Sequence, residues 1–276
     1  MSRLPMMVLP LTLAFAFTAR AQQAQPASAP SAPAQPAAPA ADAMTPRQTE
    51  EMRADILMAR KEYPDAIILY KHLLETEPKN AVILNKVGIA YQQQGMSNKA
   101  EGFYKRAVKA DKTYASALNN LGTVEYEKKK YRKAIRLYKQ AIEYRSDLAT
   151  LYSNLGYGYF QDKKYNEAMQ AFQKALELDP EIFAHHGGFG SVVQQRSVAD
   201  FGKFYFLVAK TYALAGDAEQ CAHYLKMSRD EGYKDYTSAR KDPAFTKVLN
   251  DPRIQEALEP PETGPLAADS RKTARP

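Results

Sequence analysis

Histidines are the residues of this sequence best suited to ligate a metal ion or to move a proton near neutral pH. There are four of them: His72, His185, His186 and His223. His185 and His186 are adjacent, and neighbouring side chains diverge on a helix or a strand, so these two cannot converge on one ion. No second pair of ligands stands nearby at the spacing of a metal site. We therefore predict no metal centre and no bound cofactor.

The glycine-rich run 186–191 is the other segment whose composition could serve chemistry, as a loop around a phosphate. It lacks the Lys-Ser/Thr pair of a P-loop and does not lie between a strand and a phosphate-facing helix. No Ser/His/Asp triad and no paired carboxylates can be picked out elsewhere. We therefore predict that the protein is not an enzyme. The alternative is an enzyme that uses the His185 region, which would bind a metal and lose activity on His186→Ala.

Positive charge is concentrated in the middle of the chain. Residues 81–148 contain 14 Lys and Arg against 6 Asp and Glu, whereas the whole chain has a net charge of only +7. Such a cluster is either a solvated outer face or a docking surface for an acidic partner or an anionic membrane. Nucleic acid is not expected, because the tyrosines here recur at core spacing. The residues of this basic face are Lys105, Arg106, Lys109, Arg132, Lys133, Arg136 and Lys139.

These charged residues are embedded in a repeat of 34 residues. Each unit has an apolar-Gly pair, then a break, then an Ala-x-x-x-aromatic-x-x-Ala segment, and the spacings place these side chains on one face of each of two helices. Glycine inside a helix costs roughly 1 kcal/mol relative to alanine, so its recurrence predicts a neighbour too close for a side chain. The recurring positions are Val87-Gly88, Leu121-Gly122 and Leu155-Gly156; Ala100, Ala134 and Ala168; Tyr104, Tyr138 and Phe172; and Ala107, Ala141 and Ala175.

This pattern resembles the tetratricopeptide repeat (TPR). The resemblance implies an all-α fold, a right-handed α-solenoid of about five TPR helix-turn-helix units with a short C-terminal helical cap. The array is expected to span 47–237, and an insertion at 183–201 is either tolerated or a functional edge of the binding surface. The units are expected near 47–80, 81–114, 115–148, 149–182 and 202–235.

The segment after the insertion continues the pattern with altered residues. Cys221 lies 53 residues after Ala168, at the packed small-residue position, which predicts a buried and inert thiol. Asp242 and Asp251 are each followed by proline, and Asp at an N-cap before Pro starts a helix. We therefore predict C-terminal capping helices over 238–259.

Both ends of the chain have the composition of segments outside the fold. Residues 1–21 combine Arg3, an apolar run and a small-x-small site, as in a cleaved signal peptide. An uncleaved anchor is the alternative, but the run is shorter than the roughly 20 apolar residues of a spanning helix. Residues 22–46 form an Ala/Pro-rich linker and 260–276 a tail, both predicted to be disordered. We therefore expect a periplasmic or secreted protein.

The resemblance also implies where a partner would bind, since TPR arrays usually bind through a concave face lined by the first helix of each pair. Amides there can bond a peptide backbone while aromatic rings bury apolar side chains, so an extended peptide or helix of another protein fits best. We predict a non-catalytic scaffold or adaptor of the cell envelope. The alternative is an accessory subunit of an envelope assembly that docks an anionic partner through the basic face, with at most peripheral membrane contact. The predicted groove residues are Asn85, Ile89, Gln92, Asn119, Thr123, Tyr126, Ser153, Tyr157 and Phe160.

Overall fold

The computed structural model describes residues 44–183 and 200–260, and every regular element in these two ranges is a helix. The predicted signal peptide, residues 22–43, residues 184–199 of the insertion and residues 261–276 lie outside them. The α-helices are α1 Pro46–Ala59, α2 Tyr63–Thr76, α3 Ala81–Gln93, α4 Ser97–Ala110, α5 Ala115–Glu127, α6 Tyr131–Tyr144, α7 Ala149–Gln161, α8 Tyr165–Leu178, α9 Phe201–Ala215, α10 Ala218–Asp230 and α11 Pro252–Ala257. None of these described helices has the length and hydropathy needed to cross a membrane.

The first helix starts earlier than the sequence pattern suggests. The Thr45 hydroxyl accepts a hydrogen bond from the backbone N–H of Gln48, and the Gln48 side chain accepts one from the backbone N–H of Thr45. This reciprocal capping box, with Pro46 at the first helical position, fixes the start of α1. The end of the predicted linker 22–46 is therefore wrong, because its last two residues belong to the helix and its cap.

The helices are arranged as five successive pairs. Each first helix packs most extensively on the second helix of its own pair, and that second helix then packs on the next first helix along the chain. The all-α array of helix-turn-helix units expected from the repeat is thus confirmed, with α9 and α10 as the fifth pair after the insertion.

The tight turn inside a pair uses the left-handed backbone conformation at one repeated position. Lys61, Gly95, Lys129 and Lys163 have φ of 64°, 72°, 58° and 60°, and they are spaced 34 residues apart. Only glycine adopts this conformation without steric cost, yet three of the four positions hold lysine. The turn is therefore imposed by the packing of the two helices that it joins.

The repeated glycines allow aromatic rings of the second helix to lie against the backbone of the first. A Cβ atom at Gly88 would lie 2.4 Å from Cε1 of Tyr104, and one at Gly156 would lie 2.3 Å from Cε1 of Phe172. Both rings are fully buried. The close approach predicted from the recurrence of glycine is therefore present in the pairs α3/α4, α5/α6 and α7/α8.

The C-terminal cap contains more helical segments than expected. A 3₁₀ helix at Lys234–Arg240 comes first, and the two predicted Asp-Pro starts then give a second 3₁₀ helix, Pro243–Phe245, and α11. Phe245 and Ile254 are fully buried, and the Phe245 ring lies 5.8 Å from that of Phe206 on α9. The cap thus covers apolar surface of the last helix pair.

Candidate functional site

Seven of the nine predicted groove residues are buried. Their exposed fractions run from 1 % to 7 %, and only Ile89 and Asn119 are partly accessible. A buried side chain has no surface to offer a partner, so the prediction that these seven line a binding groove is wrong for the described structure. The seven residues are Asn85, Gln92, Thr123, Tyr126, Ser153, Tyr157 and Phe160.

The two asparagines of the predicted groove, Asn85 and Asn119, accept hydrogen bonds from asparagines on the next first helix along the chain. Asn120 on α5 donates from Nδ2 to Oδ1 of Asn85 on α3 at 3.0 Å, and Asn154 on α7 donates to Oδ1 of Asn119 at 2.8 Å. Asn119 and Asn120 are joined at 3.4 Å. These four residues form an amide ladder that connects α3, α5 and α7. The amides expected to bind a peptide backbone are thus used to hold the units in register.

Gln92 is also used inside the protein. Its side-chain carbonyl accepts a hydrogen bond from the hydroxyl of Tyr104 at 2.7 Å, and its amide donates to Glu127 at 3.1 Å. Both partners lie on neighbouring helices of the array. Gln92 therefore satisfies the buried Tyr104 hydroxyl and is not available to a ligand.

Two of the three aromatic residues of the predicted groove, Tyr157 and Phe160, are covered by the helix that follows the insertion. Tyr157 stacks on Phe204 of α9 with ring centroids 5.2 Å apart, and Phe160 meets the same ring edge-on at 5.6 Å. Tyr126 packs against Tyr131 at 5.3 Å. These contacts place the rings in the core, because burying an aromatic side chain stabilises the fold strongly.

The residues of the predicted basic face, by contrast, lie at the surface. Six of the seven are exposed, and Lys133 is of intermediate exposure. Lys105 pairs with Glu101 at 2.6 Å, and Arg132 approaches Asp162 at 3.4 Å. The contacts with Lys105 and Lys128 hold the pKa of the Glu101 carboxyl at about 2.

Sequence reasoning missed a buried carboxylate beneath this face. Tyr91 and Tyr159 mark an aromatic position of the repeat, and Glu125 occupies the same position in the unit between them. Its side chain has no exposed surface, and it forms an ion pair with Lys133, while the ammonium of Lys130 lies 3.9 Å away. Lys133 thus neutralises a buried charge. The 34-residue phase of the repeat could have revealed this exception.

The groups considered for chemistry do not come together. His72 pairs with Glu50 at 2.6 Å, which raises the pKa of the imidazole, and His223 packs edge-on against Tyr224. In residues 44–183 and 200–260 no three His, Cys, Asp or Glu side chains are arranged to hold a metal ion. His185 and His186 lie outside these ranges.

The single cysteine of the chain is held in the core. Cys221 is fully buried on α10, as expected from its place in the repeat, and burial raises the pKa of its thiol to about 12. A thiol with so high a pKa carries almost no thiolate near neutral pH, and the thiolate is the nucleophilic form. Cys221 is therefore a packing residue.

Comparison with known proteins agrees with the repeat. Residues 149–182 match the family described as tetratricopeptide repeat, and residues 122–162 match a second one described as TPR repeat. Four helix pairs keep the 34-residue period and a fifth follows the insertion, so the chain contains tetratricopeptide repeats, which generally serve as a scaffold for protein–protein interactions.

Several solved TPR structures are similar to this chain. The Sgt2 TPR domain from Aspergillus fumigatus is 28% identical over 46% of this chain and 85% of its own, with a TM-score of 0.40. MamA from Desulfovibrio magneticus RS-1 is 19% identical over 68% and 97%, with a TM-score of 0.49. YrrB, a TPR protein with an unusual peptide-binding site, is 18% identical over 70% and 91%, with a TM-score of 0.47. No curated protein matches the chain.

Proposed function

We propose that this protein is a non-catalytic adaptor of the cell envelope that docks an anionic protein partner on its basic face. The observation that carries the proposal is the contrast in exposure between the two predicted surfaces. The basic-face residues on α4 and α6 reach solvent, whereas most predicted groove residues are packed or hydrogen-bonded inside the array. Exposed cations of one sign steer and hold an oppositely charged partner.

Binding of a peptide or helix along the first helices is a second candidate. Ile89 and Asn119 are partly accessible, and Val82 and Gln93 on α3 and Ser116 on α5 are exposed. This strip is neutral, so a complex formed there would depend little on salt. The salt response therefore separates the two candidates.

The experiment is a pull-down from an envelope extract with the mature chain as bait, and partners are read by mass spectrometry. We expect a partner at about 50 mM NaCl that is lost at about 500 mM, because the Debye length falls from over 10 Å to a few Å. Arg132→Glu with Arg136→Glu should also release it. Lys133 is left unchanged in this variant because it pairs with the buried Glu125. A partner that is retained both at about 500 mM NaCl and by the Arg132→Glu, Arg136→Glu variant would favour the first-helix strip. Failure to recover any partner reproducibly would refute the adaptor function.

The envelope location is supported by the sequence pattern of residues 1–21. Expression of the full chain in a Gram-negative host, followed by fractionation and mass measurement, tests it. We expect a chain in the periplasm or medium that begins at Gln22. A cytoplasmic chain that retains its first residues would contradict the export step.

A further inference from the structure

The basic face contains a groove between α6 and the turn from α7 to α8. Two adjoining concavities of about 530 and 540 Å³ share Arg132 and Arg136 in their walls. Lys129 also lines the first concavity, and Lys139 and Lys164 line the second. Both parts of the groove are therefore lined by several positive groups.

The positive charge of this groove is only partly neutralised by the protein. Asp162 pairs with Arg132 at 3.4 Å and with Lys164 at 3.2 Å. Among the described residues no acidic side chain forms an ion pair with Lys129, Arg136 or Lys139. The groove thus keeps an excess of cations that an anionic ligand could neutralise.

The N-terminus of α6 adds to the positive electrostatic potential of the groove. The helix has no acidic residue in its first turn and no side-chain cap, and it begins with Tyr131, Arg132 and Lys133. Cations are disfavoured at the positive end of a helix, so their repulsion raises the free energy of the unliganded state. A bound carboxylate would relieve this repulsion.

The groove also has an apolar contact surface. Tyr159 is partly exposed in its wall beside the side chain of Ile135, and the ammonium of Lys164 lies 6.0 Å from the centre of the Tyr159 ring. An aromatic or large apolar side chain of a ligand could pack against this ring. The guanidinium groups of Arg132 and Arg136 can each bind a carboxylate through two parallel hydrogen bonds.

A peptide fits these features better than a lipid surface does. The exposed large apolar side chains of the described surface include Met52 and Ile68 on α1 and α2, Val82 on α3 and Tyr144 at the end of α6, and none of these lines either concavity. The groove itself presents no exposed large apolar residue that could insert into a membrane.

We infer that this groove docks an acidic segment of the partner protein that carries one aromatic or large apolar side chain among its carboxylates. The inference rests on the proposed adaptor function and names the chemistry of the segment that the basic face takes. The carboxylates bind along the row from Lys129 to Lys139, and the apolar side chain packs on Tyr159.

The probe is a fluorescein-labelled peptide of six glutamates with a central phenylalanine, and binding is followed by fluorescence anisotropy. Arg132→Gln with Arg136→Gln should weaken binding at least about tenfold, since charge-assisted bidentate contacts are lost. The matched control is Arg53→Gln with Arg60→Gln on α1 and its C-cap, which removes the same charge from exposed positions outside the basic face and should change affinity by less than about twofold. All four side chains are exposed, so circular dichroism should show wild-type helicity and melting.

Two comparisons complete the test. Tyr159→Ser should weaken binding of the peptide with the central phenylalanine. It should not change binding of a peptide that has alanine at that position. Equal losses in the groove variant and its control would overturn the inference, because they would show attraction by net charge alone. Binding of phosphatidylglycerol vesicles without binding of the peptide would overturn it in favour of a membrane. If the pull-down partner survives Arg132→Gln with Arg136→Gln, the groove assignment fails while the adaptor function stands.

Discussion

The contact between Gly156 and Phe172 offers the sharpest test of the packing. In Gly156→Ala the new Cβ atom would lie 2.3 Å from Cε1 and 2.4 Å from Cδ1 of the ring. The ring cannot move aside, because the rings of Tyr157, Phe183 and Phe204 surround it at 5.5, 5.2 and 6.0 Å. Overpacking of this kind costs up to about 3 kcal/mol, which the better helix propensity of alanine offsets by roughly 1 kcal/mol. We expect a net loss of about 2 kcal/mol.

The assay is thermal unfolding followed by circular dichroism at 222 nm. A loss of this size corresponds to a fall in Tm of roughly 4–8 °C for an array of this length. The matched control is Gly102→Ala on α4, where a Cβ atom would meet nothing within 4 Å. There only the propensity changes, so we expect stabilisation by about 0.5–1 kcal/mol and a higher Tm.

A second substitution tests whether the Phe172 ring causes the loss of stability in Gly156→Ala. In a Phe172→Leu background, Gly156→Ala should cost clearly less than in the wild type, since contacting residues are energetically coupled. A Gly156→Ala variant as stable as the wild type would refute the close-packing argument. The argument would also be refuted if Gly156→Ala lowered the free energy of unfolding equally in the wild type and in the Phe172→Leu background.

Three further predictions concern the buried polar groups. Lys133→Met should destabilise the fold by about 3 kcal/mol in urea unfolding, because it leaves the carboxylate of Glu125 buried beside a single distant lysine; an unchanged midpoint would contradict the ion pair. Asn119→Ala should cost about 1–3 kcal/mol by leaving the buried amide of Asn154 without its acceptor, and a loss of binding without a loss of stability would contradict the ladder. Cys221 should resist a thiol reagent at pH 8 and react only on unfolding, since burial raises its pKa to about 12, and rapid labelling of the native chain would contradict this.

The helix pairs could be predicted from the amino-acid sequence alone. A period of 34 residues carries the positions of both helices, and spacings of three and four within it fix which side chains share a face. The recurrence of Gly88, Gly122 and Gly156 predicted where the two helices of a pair approach closely. The recurring aromatic residues of the second helix supply the rings that lie against these glycines. These patterns depend only on residues close together in the sequence, so the helices and their packed faces could be predicted from the sequence.

Which of those side chains a partner can reach depends on how the helix pairs pack on one another. The groove prediction assumed that first-helix positions face solvent, but the structure links Asn85 to Asn120 and covers Tyr157 with Phe204. Exposure depends on how closely the next unit packs, and that distance results from contacts between residues far apart in sequence. The side chains of the basic face lie at the surface because long cationic side chains are costly to bury. Glu125 is an exception among the charged residues. Its carboxylate can be buried because Lys133 on the next helix forms an ion pair with it.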